Sequence, residues 1–208
     1  MSEKKVDVKS WRELSESDKG EVYTLVKESF HNHFTGLLPI EVFIEYMDSV
    51  SVHDKSKVFT LSLKGGIVGF ASLGQEVSLF SVFNIKKNNL LSKLKIVRDL
   101  LGNKRLAFES LINILNKEKK NKGTSPNNKK GEDIYLSYIC ICKKNVGLGY
   151  GGLLLQSIKE YTQMQSIRAY CHLDATNDNV SGFYTNNGWS LEGCGTRVVG
   201  VLNYELKK

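Results

Sequence analysis

The stretch that most constrains this chain is Ile134–Gln163, IYLSYICICKKNVGLGYGGLLLQSIKEYTQ. Tyr135, Tyr138, Ile139 and Ile141 are aromatic or β-branched and suit a pleated strand, and Cys140 and Cys142 are small enough to share it. Lys143, Lys144 and Asn145 end the strand. Gly147, Gly149, Gly151 and Gly152 follow, interleaved with Val146, Leu148 and Tyr150, and there the backbone can approach a ligand without an intervening Cβ. Leu153, Leu154, Ile158 and Tyr161 then recur at helical spacing, with Leu153 expected on the buried face. A helix that begins at glycines leaves its first N–H groups pointing into the loop. Those groups and the helix dipole make an anion site, most naturally for a pyrophosphate.

Gly147-Leu148-Gly149-Tyr150-Gly151-Gly152 also fits G-x-G-x-x-G, the dinucleotide fingerprint. That reading needs the first glycine almost on the strand end, but Lys143–Val146 intervene. It also needs further βαβ units that the remaining sequence is too short to supply. A glycine-rich turn without a ligand is the plainer alternative, although interior glycines are costly to keep without a reason.

The same loop resembles the acyl-CoA-binding loop of the GCN5-related N-acetyltransferase (GNAT) superfamily, Arg/Gln-x-x-Gly-x-Gly/Ala between the fourth strand and the third helix. Downstream, Asn177-Asp178-Asn179-Val180-Ser181-Gly182-Phe183-Tyr184 resembles the family's N-x-x-A-x-x-F-Y segment, and Gly188-Trp189 stands where the family has Gly-Phe. The chain departs from the pattern at the Arg/Gln position, which is Val146 when Gly149 and Gly151 are the motif glycines, or Lys144 one step earlier. Phosphate contact would therefore lean on backbone N–H groups.

The resemblance implies an α/β fold: a mixed, mostly antiparallel central sheet flanked by helices, with a basic helical insertion between the third and fourth strands. It implies acetyl-CoA as co-substrate and a small-molecule amine as acceptor. The pantetheine arm would pair with Ile139, Cys140 and Ile141 in the gap between the fourth and fifth strands. The loop from Val146 to Gly152 would hold the pyrophosphate, and Asn177 would bond pantetheine or helix backbone. Tyr184 would protonate the leaving thiolate, with core packing as its alternative role. The general base is open. No carboxylate lies in Ile134–Cys142, which leaves Tyr138, His172 or Asp174 acting through water.

With 208 residues, 41% hydrophobic and 25% charged, one domain over 1–208 carrying an insertion is the natural reading. No apolar run reaches membrane-span length, and Met1-Ser2-Glu3-Lys4-Lys5 lacks a signal-peptide core, so a cytoplasmic location is expected. Cys140-x-Cys142 and Cys171-His172 fit no zinc spacing, so reduced cysteines packed in neighbouring strands are expected and no metal.

Val6 and Val8 alternate as a first strand. Ser15 or Ser17 can cap a helix with Val22, Leu25, Val26 and Phe30 on one face. Pro39 opens a second helix with Phe43, Ile44 and Met47 inward. His31 and His33, between these helices, are either acceptor contacts or exposed residues of a polar turn. Lys57–Ser62 and Ile67–Leu73 form a hairpin with its signal at Gly65-Gly66. Arg168–Leu173 is a strand, and Trp189–Leu191 and Thr196–Glu205 are two more, turning at Gly193-Cys194-Gly195.

Residues 84–131 are read as the insertion: two helices divided near Gly102-Asn103, then a flexible linker from Lys117. It carries 13 Lys+Arg against 3 Asp+Glu, a net of +10 in a chain of +7. A phosphorylated acceptor, nucleic acid, an anionic membrane surface or simply a solvated face all follow from charge alone. Nucleic acid is disfavoured, because the lysines are not interleaved with aromatics. The segment His33–Tyr46 is loosely similar to relatives in bacterial surface-polysaccharide pathways, which acetylate amino sugars carried on nucleotides. The expected function is thus acetyl transfer to a primary amine, with an amino sugar as the finer reading. N-acetylation of a peptide or other small amine, or a non-catalytic CoA- or nucleic-acid-binding module, are the alternatives. A homodimer stays open.

Overall fold

The computed structural model describes residues 6–31, 34–77, 133–174, 178–192 and 197–202. The insertion expected at 84–131, its linker, His33, Asn177 and the turn Gly193-Cys194-Gly195 lie outside the described residues.

Seven described strands form one sheet in the order β1-β2-β3-β4-β5-β7-β6: β1 Val6–Lys9, β2 Lys57–Leu63, β3 Gly66–Gly74, β4 Asp133–Ile141, β5 Arg168–Asp174, β6 Ser190–Glu192 and β7 Arg197–Leu202. All neighbours are antiparallel except β4 and β5. The helices are α1 Glu16–Ser29, α2 Ile40–Val50, α3 Tyr150–Gln165 and α4 Asp178–Asn186. The expected mixed, mostly antiparallel sheet with flanking helices is therefore what forms.

Strand alternation sorts side chains onto two faces. Phe59, Leu61, Ala71, Leu73, Ile134 and Leu136 pack with Leu154, Leu155 and Ile158 of α3 and Tyr184 of α4. Val58, Phe70, Tyr138 and Cys140 pack on the other side with Val22, Leu25 and Val26 of α1 and Phe43 and Met47 of α2. Ser15, rather than Ser17, caps α1: its hydroxyl accepts from Asp18 N–H at 3.1 Å, and the Asp18 carboxylate accepts from Ser15 N–H. Glu21 ties this helix to the sheet by accepting the Ile67 N–H at 2.8 Å.

The β2–β3 turn is Leu63-Lys64-Gly65-Gly66, as expected, centred on Lys64 and Gly65 with φ of 53° and 84°. Both positive φ values match a primed two-residue turn, whose twist follows that of the strands. One detail differs from the sequence reading: on α3, Leu153 is exposed, and Leu155 takes the inward place. The helix begins at Tyr150, so Tyr150, Leu154, Ile158 and Tyr161 form the buried stripe, which Leu153 misses by one residue.

The sheet also contains an irregularity that matters later. Opposite Ser72 and Leu73 of β3 stand Tyr138 and Leu136 of β4, so Ser137 is one residue too many. A bulge of this kind shifts the alternation. Ile134 and Leu136 face α3 before it; Ile139 and Ile141 face α3 after it, which turns Tyr138 and Cys140 toward α1 and α2.

Gly74 closes β3 against α2, and a Cβ there would run into the Val50 carbonyl oxygen and its Cγ1. Backbone cannot give way as a side-chain tip can. We expect Gly74→Ala to cost roughly 1–3 kcal/mol, as overpacking does. Gly69→Ala, whose tightest contact is the terminal Cδ1 of Ile141 at 2.8 Å, with Leu61 Cβ at 3.3 Å and Leu154 Cδ1 at 3.4 Å, should cost less. Urea midpoints of the two variants check the order.

Candidate functional site

The site begins where β4 and β5 part. They are the one parallel pair among the described strands, and they are in register only at Asp133–Arg168, Ile134–Ala169 and Tyr135–Tyr170. Arg168 clamps the closed end with two hydrogen bonds to the Asp133 carboxylate, at 2.9 and 2.5 Å. Beyond Tyr135, β4 continues against β3 to Ile141, while β5 pairs with β7 on its far side. The β4 edge over Ile139–Ile141 thus faces a gap, with none of the described strands opposite.

A cavity of about 510 Å³ opens on that edge. Its lining includes Ile139, Cys140, Ile141, Val146, Gly147, Gly149, Tyr150, Gly151 and Gly152, each anticipated from sequence. Leu148, also anticipated, is 57% exposed and is not in the wall. Asn145, Phe183 and Asn187 belong to the wall and were not anticipated as site residues. Phe183 was visible in the F-Y motif, whereas Asn145 and Asn187 carried no signal beyond being polar.

The loop owes its shape to local chemistry. After Ile141 the Cys142 N–H bonds the Val68 carbonyl at 2.8 Å, and a short 3-10 turn over Lys143–Asn145 swings the chain outward. Gly147 and Gly149 take φ of 83° and 80°, and a Cβ on either would meet nothing within 4 Å, so conformation and not crowding selects glycine there. Gly149 is the N-cap of α3 and has no side chain to cap it. The first intrahelical bond runs from Leu153 N–H to Gly149 O at 3.2 Å, which leaves the Gly151 and Gly152 N–H groups ahead of the helical ladder. Lys143 and Lys144, in the 3-10 turn before the loop, are exposed. Free N–H groups and the helix dipole give this end of the cavity a positive potential.

Gly151 and Gly152 have a second role. A Cβ on Gly151 would press on the Phe183 ring at 3.0 Å, and one on Gly152 would meet Asn187 Oδ1 at 3.3 Å. These glycines let α4 approach α3.

Tyr184 is buried in the α3-side core, stacked edge-on between Phe183 and Trp189 at centroid distances of 5.3 and 5.2 Å. Its hydroxyl bonds the Cys171 thiol, and it is not in the cavity wall. Burial above all, with the neighbouring Cys171, drives its pKa upward, so the phenol stays protonated.

On the opposite face of the split, a second group assembles. The Tyr170 hydroxyl donates to Glu76 Oε2 at 2.9 Å, and His172 Nε2 lies 3.2 Å from Glu76 Oε1. The Tyr135 ring is 5.3 Å from Tyr170 and 5.5 Å from His172. Glu76 was not among the candidate bases expected from the sequence, which were Tyr138, His172 and Asp174. Of the three candidate bases, Tyr138 is buried with its hydroxyl bonded to Thr35 and Tyr46, His172 is half-exposed against Glu76, and the Asp174 side chain lies outside the described residues. His31 is exposed, its Nδ1 3.1 Å from the Glu28 carbonyl.

No protein-family model and no curated protein matches this chain. Solved structures do, at low identity. An acetyltransferase of the GNAT family from Streptococcus pneumoniae aligns with a TM-score of 0.55 and 15% identity over 97% of this chain and 100% of its own. The ribosomal-protein-S18-alanine N-acetyltransferase of Escherichia coli gives 0.56 and 11% over 98% and 97%. PaiA N-acetyltransferase from Thermoplasma acidophilum, solved in complex with coenzyme A, gives 0.53 and 12% over 96% and 99%. The fold is that of the GNAT proteins.

Among the described residues Cys140, Cys142 and Cys171 are free and no cluster of metal-ligating side chains forms. Burial pushes the Cys140 and Cys171 thiols up to about 12, and a protonated thiol is a poor nucleophile. We expect iodoacetamide at pH 8 to label half-buried Cys142 well before Cys140 and Cys171 in the native protein, with the order lost in urea, as read by peptide mass spectrometry.

Proposed function

We propose that the chain is an acetyl-CoA-dependent N-acetyltransferase that moves an acetyl group from the thioester to a primary amine. One observation carries the reading: the β4 edge at Ile139–Ile141, unpaired among the described strands, runs into the uncapped start of α3 at Gly149. A ligand suited to both must be an extended, amide-bearing arm with a phosphate at its end. The cavity volume, the left-handed Gly147 and Gly149 and the exposed Lys143 and Lys144 fit such a molecule. That a protein of the same fold binds coenzyme A supports the same ligand here.

In this reading Ile139, Cys140 and Ile141 offer backbone groups to the pantetheine amides, and Val146–Gly152 hold the pyrophosphate through N–H groups. Asn177 adds a contact from the segment next to α4. A backbone N–H of β4 near the bulge stabilises the carbonyl oxygen as it becomes negative. Tyr184, kept protonated by burial, supplies the proton that the departing thiolate takes up. Its hydroxyl would exchange the Cys171 thiol for the substrate sulfur. The fold acts as a single domain with residues 84–131 inserted between the third and fourth strands.

For the acceptor, the net +10 of residues 84–131 supports an amino sugar carried on a nucleotide, whose phosphates that charge would attract. A peptide N-terminus is the second reading, supported by the E. coli enzyme of the same fold that is named for acting on an alanine of ribosomal protein S18.

Two measurements test the reading. Gly149→Glu places a carboxylate where the pyrophosphate is proposed, so acetyl-CoA affinity by calorimetry should fall at least about tenfold, the factor that 1.4 kcal/mol of lost binding represents. Gly149→Asn controls for backbone strain, since Asn tolerates left-handed φ, and it should bind better than the Glu variant at a similar melting temperature. Tyr184→Phe keeps the ring and should lower turnover by about 10²–10⁴ with acetyl-CoA affinity preserved. A rate within about twofold of wild type would make Tyr184 a packing residue.

A further inference from the structure

We infer that His172, oriented by Glu76, takes the proton of the acceptor amine, and that Glu76, Tyr135 and Tyr170 form the seat in which that amine first docks as a cation. The inference rests on the acetyltransferase reading and adds to it the base, and the charge state of the acceptor, that it lacks.

The group draws on three separate parts of the chain: Glu76 just past β3, Tyr135 on β4, and Tyr170 and His172 on β5. Stability does not explain the convergence. The His172 and Glu76 side chains are 48% and 46% exposed, and ion pairs that open to water contribute little to folding. Position does explain it. Tyr135 and Tyr170 are the last residues paired across β4 and β5, and His172 lies two residues further on, where the strands have parted. Ala169, Cys171 and Leu173 turn toward α3, so Tyr170 and His172 turn to the other face. A thioester reaching through the gap from the α3 side therefore meets the acceptor from the side where Glu76 and His172 stand.

The chemistry of the group suits an ammonium. The Glu76 carboxylate lends negative potential to Tyr46, Tyr135 and Tyr170, whose hydroxyls burial, the larger cause, keeps protonated. Neutral aromatic faces beside a carboxylate attract a cation. With Nε2–H donating to Glu76, the imidazole is fixed in the tautomer whose lone pair is at Nδ1, free to accept a proton.

The balance is simple. Of the three protons on the ammonium nitrogen, the first passes to His172 Nδ1 and on to solvent. The neutral nitrogen adds to the thioester carbonyl carbon, and the carbon–sulfur bond breaks. Tyr184 protonates the released thiolate and takes back the second proton, and the third stays on the amide.

The test measures thiol release at saturating acetyl-CoA with three probes: glucosamine, an alanine-initial tetrapeptide and phenethylamine. For any probe that reacts, His172→Gln should lower kcat/KM at pH 7 by about 10²–10⁴ and flatten the acid limb of its pH profile, with acetyl-CoA affinity unchanged. Among the described residues the groups facing His172 are Glu76, Tyr135 and Tyr170, with Tyr46 across Glu76, and burial raises the pKa of each tyrosine, so none of the three accounts for an acid limb. Glu76→Gln should raise the KM for the amine. Both side chains are half-exposed, so folding should survive, and a melting curve checks it. Rates within about twofold of wild type for both variants overturn the inference and leave the proposed function standing. Wild-type protein that binds acetyl-CoA but neither acetylates any probe nor shows a shift of its His172 Cε1–H resonance on their addition overturns it as well. Failure to bind acetyl-CoA removes both readings.

Discussion

Two neighbouring parallel strands usually pair along their length; here β4 and β5 hold register for three residues and then separate. The separation is possible because each strand keeps a partner on its outer side, β3 for β4 and β7 for β5. Neither strand is left without a ladder, and only the inner edges go unpaired among the described strands. Arg168 and Asp133 pin the closed end, and an ion pair with two hydrogen bonds fixes an angle as well as a distance. An open wedge of backbone N–H and C=O groups inside a sheet is costly when dry. Water or an amide-bearing ligand relieves that cost, which is why the cavity lies on this edge.

The Ser137 bulge sets which side chains line each side of the wedge. Without the extra residue, the alternation that puts Ile134 and Leu136 under α3 would put Tyr138 and Cys140 there too. With it, Ile139 and Ile141 face α3 and the cavity, while Tyr138 joins Phe30, Phe43 and Tyr46 on the other face. One inserted residue thus separates an apolar face under α3 from an aromatic, hydroxyl-rich face toward α1 and α2.

The glycines of the loop divide between two tasks. Gly147 and Gly149 are needed for backbone conformation; Gly151 and Gly152 are needed so that Phe183 and Asn187 can lie against α3. Packing at one end therefore supports the geometry at the other. The α4 segment is attached through residues that also line the cavity, which couples the position of Tyr184 to the loop that would hold the phosphates.

Much of this was legible in the chain itself. The β-branched and aromatic residues of 134–141, the glycine turn between 57–62 and 67–73, and the helical spacing of Leu154, Ile158 and Tyr161 marked the elements, because side-chain shape and spacing act on the backbone locally. The glycine loop was legible because positive φ and close approach restrict which residues can serve. What the sequence could not disclose depends on distance in space. Nothing marks Ser137 as a bulge, since its extra place exists only relative to β3. Leu153 reads as inward until the first helical residue is fixed. Glu76 reads as one more acidic residue at the end of a strand, and it meets His172 only because β3, β4 and β5 lie side by side. Local sequence decides conformation through short-range sterics and hydrogen bonding; the pairing of groups 96 residues apart is decided by the register of the sheet that carries them.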